Sequence, residues 1–222
     1  MDLYPLWNSL RIAGISSVLV FFLGIAAAYY VSRAPRLVKG VLDVILTLPL
    51  VLPPTVVGYL LILLLGPNRA LGAIVLRELG LKLLMQWWSA VFAVTAVCFP
   101  LMYRTARGAF EAFDEDLAAA GRTLGLSDTY VFWRIRMPAC RQGILAGVVL
   151  AFARGLGEYG ATSMLVGFIP GKTATVATQV AFLWTNQSGS ENERVLLFWI
   201  LINAGISAAV LLTVNLLERK KR

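Results

Sequence analysis

The chain of 222 residues is 59% hydrophobic and only 14% charged, with a mean hydropathy of +0.76, whereas soluble domains average roughly 45–50% apolar and about 25% charged. That excludes an ordinary soluble domain and points to lipid. The net charge of +8 would suggest nucleic acid in a soluble protein; in a membrane chain the plainer reading is basic residues flanking the spans on one side, and no nucleic acid is expected.

The N-terminal "MDLYPLWNSLRIAGISS" has no basic region ahead of its first apolar run and does not read as a cleaved signal. A span needs about 20 mostly apolar residues, and about five stretches qualify: Ser9 to Ser32, Gly40 to Leu65, Gln86 to Tyr103, Gly143 to Phe168 and Val195 to Leu217. The second carries Pro49, Pro53 and Pro54, which break backbone hydrogen bonds that neighbouring helices or a cavity must satisfy. A passive kink and a flexible helix beside a translocation path both remain open there. After it, "NRALGAIVLRELGLKLLMQ" puts Leu71, Val75 and Leu79 on one stripe and Arg77, Glu78 and Lys82 off it, which predicts a helix lying in the membrane interface.

The connection from Arg104 to Gln142 is far longer than a turn. It opens with "GAFEAFDEDLAAAGRTLG", where Phe110, Phe113 and Leu117 recur at helical spacing among acids. Gly125 can end that helix in a left-handed conformation. Ser127 or Asp128 can cap the next, Asp128 adding charge at its positive end. Val131, Phe132 and Ile135 form an apolar face, and Pro138 interrupts the pattern. This predicts a helix-turn-helix, with three readings: a DNA-binding element, disfavoured by Glu111, Asp114, Glu115, Asp116 and the flanking spans; an interfacial loop without a partner; and a docking element whose exposed Tyr130, Phe132 and Trp133 fill a partner's groove. The last is preferred.

The fourth span is glycine-rich. Gly143/Gly147 and Ala151/Gly155 have the small-xxx-small spacing that allows close helix packing. It also holds Arg154 and Glu158, four apart and able to pair on one face. Intramembrane charges read as functional by default, while a self-neutralising pair can equally pin helices together. Glu158 would repel an anionic substrate. Next, "GFIPGKT" (Gly167 to Thr173) has one residue too few between its first Gly and Gly-Lys for a phosphate-binding P-loop; its Lys172 could help attract an oxyanion or dock a partner. "TVATQVAFLW" (Thr175 to Trp184) is about half a span, interfacial or re-entrant, and "TNQSGSENE" (Thr185 to Glu193) reads as an exposed turn.

Lysine and arginine set the orientation. One side gathers Arg33, Arg36, Lys39, Arg104, Arg107, Arg122, Arg134, Arg136, Arg141 and the Arg219–Arg222 tail; the other holds Arg69, Arg77, Lys82, Lys172 and Arg194. The expectation is an all-α polytopic membrane protein of about five transmembrane helices, N-terminus outside, C-terminus cytoplasmic, the helix-turn-helix on the cytoplasmic face, and residues 1–222 forming one domain. With no histidine, and Cys98 and Cys140 in no metal-ligand spacing, no metal or catalytic residues are expected.

From Ala119 to Pro138 the chain resembles the "EAA" loop of binding-protein-dependent ABC importers: Glu-Ala-Ala, three residues, Gly, nine residues, Ile-x-Leu-Pro. Here stand Ala119-Ala120-Gly121, then Arg122 to Leu124, Gly125, nine residues, and Ile135-Arg136-Met137-Pro138. The Gly-to-Pro spacing agrees; Ala119 replaces Glu, Gly121 replaces Ala and Met137 replaces Leu. The missing Glu removes a polar contact expected with the ATPase. "LPLVLPPTVVGY", "FPLMYRTARGAFE" and "LAFARGLGEYGAT…GFIPGKTATVATQV" look like the molybdate permease branch, and sulfate and tungstate permeases match them less well. The resemblance implies an importer permease of a bacterial or archaeal cytoplasmic (inner) membrane: a homodimer with two ATPase subunits that carry ATP and Mg, and an outer oxyanion-binding protein. Ala119, Ala120, Gly121, Arg122, Gly125, Asp128, Ile135 and Pro138 would form the coupling loop, and Pro53, Pro54, Arg154 and Glu158 would line the path or pin helices. Rival readings are a tungstate or sulfate permease, a membrane assembly protein that transports nothing, and a secondary transporter.

Overall fold

The apolar runs fold as helices, because in lipid the backbone must satisfy its own hydrogen bonds. The computed structural model describes residues 2–186 and 190–219, apart from the side chains of Ala70, 190–192 and 213–219. Among the described residues there is no strand. Three helices are long and apolar enough to cross a membrane, or up to five segments if each of two bent pairs is one span. The architecture is thus all-α and multi-pass.

Helix α1 spans Tyr4–Ser32. Pro5 sits in its first turn, where a missing N–H costs nothing. Asn8, Ile12, Ser16, Val20, Gly24 and Ala28, each four residues from the last, form one buried stripe. That stripe meets α5 (Ser89–Glu111), the most buried of the long helices, and α9 (Arg141–Leu156).

The second apolar run does not merely kink. It divides into α2 (Arg36–Val51) and α3 (Pro54–Leu65), whose axes diverge by 112°. The cause is local. A proline disfavours the α region for the residue before it, so Leu52 is extended (ψ 143°) ahead of Pro53, and Pro53 (ψ 135°) ahead of Pro54. Pro54 then opens α3 in the position that suits it. Pro49 stays inside α2.

Helix α4 (Ala70–Leu79) ends at left-handed Gly80. The stripe read from the sequence faces outward: Leu71 and Leu79 are exposed and Val75 is partly covered, while Gly72 is buried beside the Leu65 backbone. After α5 come α6 (Glu115–Thr123), α7 (Asp128–Val131), a π-helical turn (Phe132–Arg136) and α8 (Met137–Ala139). The run from Asp128 to Ala139 meets α9 at 74°. The fourth apolar run is also interrupted: α9 stops at Leu156, residues 157–159 are non-helical, and α10 covers Gly160–Val166. Phe168, predicted within that span, lies beyond it and stacks on Phe182 at 4.3 Å.

Helix α11 (Val176–Asn186) packs on α12 (Ser190–Arg219) around Val176, Leu183 and Trp199, a small cluster apart from the main core. The expected turn from Thr185 to Glu193 is therefore narrower: Thr185, Asn186 and Ser190–Glu193 are helical, and its remaining residues, 187–189, lie outside the described residues.

Candidate functional site

The helix-turn-helix forms with the predicted turn chemistry. Asp114 caps α6 by accepting from Asp116 N–H at 2.9 Å. Gly125 adopts φ +77°, and Ser127, rather than Asp128, caps α7 by accepting from Tyr130 N–H at 3.3 Å. Asp128 sits in the first turn of α7 and pairs with Arg122 at 3.0 Å across the bend. Gly121 lets the two arms close: a Cβ there would stand 3.0 Å from Ile135 Cδ1 and 3.2 Å from Val131 Cγ2. The substitution of Gly for the family's Ala thus has a packing reason. Ala119, Ala120 and Pro138 are exposed and Ile135 is half-buried.

Two sequence readings of this element need correction. Phe110, Phe113 and Leu117 do not share a helix. Helix α5 continues through Glu111, so Phe110 and Phe113 are buried on either side of a turn, while Leu117 on α6 is exposed. Nor is Phe132 exposed. Its ring packs edge-on against Tyr29 of α1 at 4.7 Å, leaving Leu124 (80% exposed), Trp133 (52%) and Tyr130 (48%), with Leu117, as the exposed apolar residues.

Sequence reasoning also missed what bolts the element down. Arg136 is 2% exposed, donates to Glu115 Oε2 at 2.7 Å and lies 4.4 Å over the Phe113 ring. A buried guanidinium is tolerated when paired and stacked in this way. Its carboxylate partner is 21 positions away, beyond any periodic signal. A second missed cluster ties α2 to the extension of α5. Lys39 pairs with Glu111 and Arg107 with Asp43; Arg107 also reaches Glu111 at 3.1 Å, and the Tyr103 hydroxyl donates to Asp43 at 3.1 Å.

Farther along the spans, the two interruptions meet. A Cβ on Gly160 would lie 2.8 Å from Pro54 Cβ, so the start of α10 rests directly on the start of α3. Glu158, 2% exposed, caps α10 by accepting from Ala161 N–H at 2.9 Å, and its other oxygen pairs with Arg154 at 2.6 Å. The pair exists as predicted, but Glu158 lies beyond the end of α9, so the two do not share a helix face. The small residues behave as expected: Gly143 abuts Ala109, and Gly155 abuts Val94, both of α5.

"GFIPGKT" is no P-loop. Gly167 (φ +60°) and Gly171 (φ +68°) turn the chain, and Thr173 Oγ1 closes the turn by accepting from Ile169 N–H at 3.0 Å. The N-terminal end of α1 grips it: Tyr4 OH donates to Lys172 O at 2.6 Å and Asn8 Nδ2 to Ala174 O at 3.0 Å. Among the described residues no group of three or more His, Cys, Asp or Glu side chains could hold a metal ion.

Residues 21–222 match the family of the "Binding-protein-dependent transport system inner membrane component". The molybdenum transport system permease protein ModB of Escherichia coli (strain K12) is 40% identical over 189 residues, covering 83% of this chain and 82% of that protein. The protein of the same name from Haemophilus influenzae is 36% identical over 204 residues, covering 91% and 89%. A solved bacterial alginate ABC transporter contains a chain that superposes with a TM-score of 0.77 over 98% of this chain and 78% of its own; at 16% identity the likeness is one of fold.

Proposed function

The chain belongs to the family of binding-protein-dependent transport system inner membrane components, and from that premise we propose that it is the membrane-spanning permease subunit of an ATP-driven molybdate importer. The observation that carries the coupling role is the helix-turn-helix, which is closed on itself through Arg136–Glu115 and Gly121 and held to α1 through Phe132, yet presents Leu124, Tyr130 and Trp133 exposed. A rigid base with a free apolar tip suits a groove on a separate protein. The 40% identity to a molybdenum permease favours molybdate as cargo.

In this reading residues 1–222 form one permease domain, with the N-terminus outside and the C-terminus and coupling element in the cytoplasm, as the basic residues favour. Two copies assemble with two ATPase subunits, which bind ATP and Mg, and with an outer oxyanion-binding protein. Ala119, Ala120, Gly121, Arg122, Gly125, Asp128, Ile135 and Pro138 form or support the docking face. ATP closes the ATPase pair and moves the two coupling elements; α5 and α9, joined directly to them, carry the motion to the breaks at Pro53, Pro54 and Glu158. Cargo that must leave again should be held weakly, so the binding protein carries most of the selectivity.

The test is reconstitution of the complex in proteoliposomes with its binding protein. Binding-protein-stimulated ATP hydrolysis coupled to molybdate uptake is expected, with tungstate and sulfate as competitors. Molybdate uptake that proceeds without the ATPase would reject the importer reading and favour a secondary transporter.

A further inference from the structure

At the end of α5 opposite the coupling element, a cavity of about 450 Å³ lies between the 82–86 segment, the Ile169–Lys172 turn and the start of α4. Two of its lining residues are cationic, Lys82 and Lys172, and none is acidic. Neither lysine has a carboxylate partner among the described residues, although Lys39, Arg107, Arg122, Arg136 and Arg154 all do. The walls are built rather than loose. Met85 holds φ +59°, a conformation uncommon for a side chain of this kind, and its N–H donates to Leu165 O at 3.1 Å. That bond places Lys82 and Gln86 on either side of a fixed point. On the facing wall, Tyr4 and Thr173 hold the glycine turn that presents Lys172.

We propose that this cavity is an outer receiving site for the oxyanion, with Lys82 and Lys172 as its cationic walls and the Gln86 amide as a neutral donor. The inference rests on the importer reading and its orientation, and adds to it a place where the cargo is held on leaving the binding protein. Two unpaired ammonium groups beside a mostly apolar recess raise the local concentration of an anion. Both lysines are exposed, and such strongly hydrated point charges hold a tetrahedral anion loosely compared with a bidentate arginine. Loose holding suits a relay.

The test measures molybdate uptake per ATP hydrolysed by the reconstituted complex with its binding protein. Lys82→Gln with Lys172→Gln is expected to lower that ratio about tenfold at low ionic strength, the lower end of the range for electrostatic focusing, with less effect at high salt. Lys82→Arg with Lys172→Arg should restore it. An unchanged ratio overturns the proposal. So does a parallel fall of uptake and hydrolysis, which would assign the lysines to docking an acidic protein surface. Occupancy is read without transport by placing Leu84→Cys on the cavity wall and labelling it with an anionic thiol reagent, the native Cys98 and Cys140 being buried. Molybdate and tungstate should slow the labelling, and absence of protection at millimolar anion overturns the site. A wild-type complex that moves no oxyanion would reject the cargo reading alone, and the Leu84→Cys labelling would still decide the cavity.

Discussion

The two interrupted spans are built in opposite ways. The α2/α3 break is written in local sequence, by consecutive prolines that leave no helical choice at Leu52 and Pro53. Its α2 arm contains no fully buried residue and is held by Lys39–Glu111 and Arg107–Asp43 together with the partly buried Leu42 and Leu46. The α9/α10 break contains no proline. It is held by a buried carboxylate within the break, which caps α10, and by close approach to α3. One break is imposed by the backbone and its arm is loosely tethered; the other is imposed by packing and rigidly fixed. The contact is made by α3, at Pro54 and Gly58, so α3 is seated on the second break while α2 is left as the looser arm, which is what a span that must change shape without coming apart requires.

The largest effect should come from unpairing the fixed side. Arg154→Ala leaves the Glu158 carboxylate buried without its cation and should destabilise the complex by about 3 kcal/mol, read as thermal unfolding in detergent. Glu158→Gln should cost clearly less, because the amide oxygen still accepts from Ala161 and Arg154, 37% exposed, can hydrate. Combining Arg154→Ala with Glu158→Gln should cost less than Arg154→Ala alone; additive losses would show that the two act separately. Gly160→Val forces a side chain onto Pro54 and should cost about 1–3 kcal/mol, with transport lost along with stability. If it is tolerated, the two breaks are not in rigid contact.

A third bend, at Gly125, tests whether a turn set by one glycine is as local as the proline break. No neighbour crowds a Cβ there, so Gly125→Ala and Gly125→Asp share a backbone cost of about 1–2 kcal/mol. Only Gly125→Asp adds a charge at the tip, and it alone should lower co-purification with the ATPase. Equal binding by both would remove the tip from the docking face. On the loose arm, Asp43→Asn should cost only about 0.5–1 kcal/mol while broadening spin-label distances between α2 and α5. Pro53→Ala alone should leave the 112° bend in place, since Pro54 still keeps its predecessor extended.

These contrasts also explain what the sequence disclosed. Features that depend on neighbours along the chain were legible: the apolar runs, the prolines, the left-handed Gly125, the Arg154–Glu158 spacing. What depends on distant partners was not. Phe132 is aromatic on an exposed-looking helix, and the rings of Tyr29 and Phe110 cover part of it. Arg136 counted as one more flanking charge until Glu115 and Phe113 enclosed it. The continuous helix assumed for the fourth span placed Arg154 and Glu158 correctly with respect to each other for the wrong reason, since the pair closes across a helix end.

The grip of α1 on the Lys172–Val176 backbone bears on how the protein is made. Asn8 finds its acceptor in Ala174, 166 positions later, and Ser9 accepts from Val176 N–H, 167 positions later. Synthesis proceeds from the N-terminus, so the first helix is made with the Asn8 amide N–H and the Ser9 hydroxyl oxygen lacking these partners until Val176 has been translated, although Asn8 Oδ1 accepts from Arg11 at 2.7 Å. An unsatisfied amide in hydrocarbon costs several kcal/mol. A chain that stops before Thr173 therefore carries its defect at its oldest end, where the arrival of the Thr173–Val176 segment is registered by the first helix settling into place.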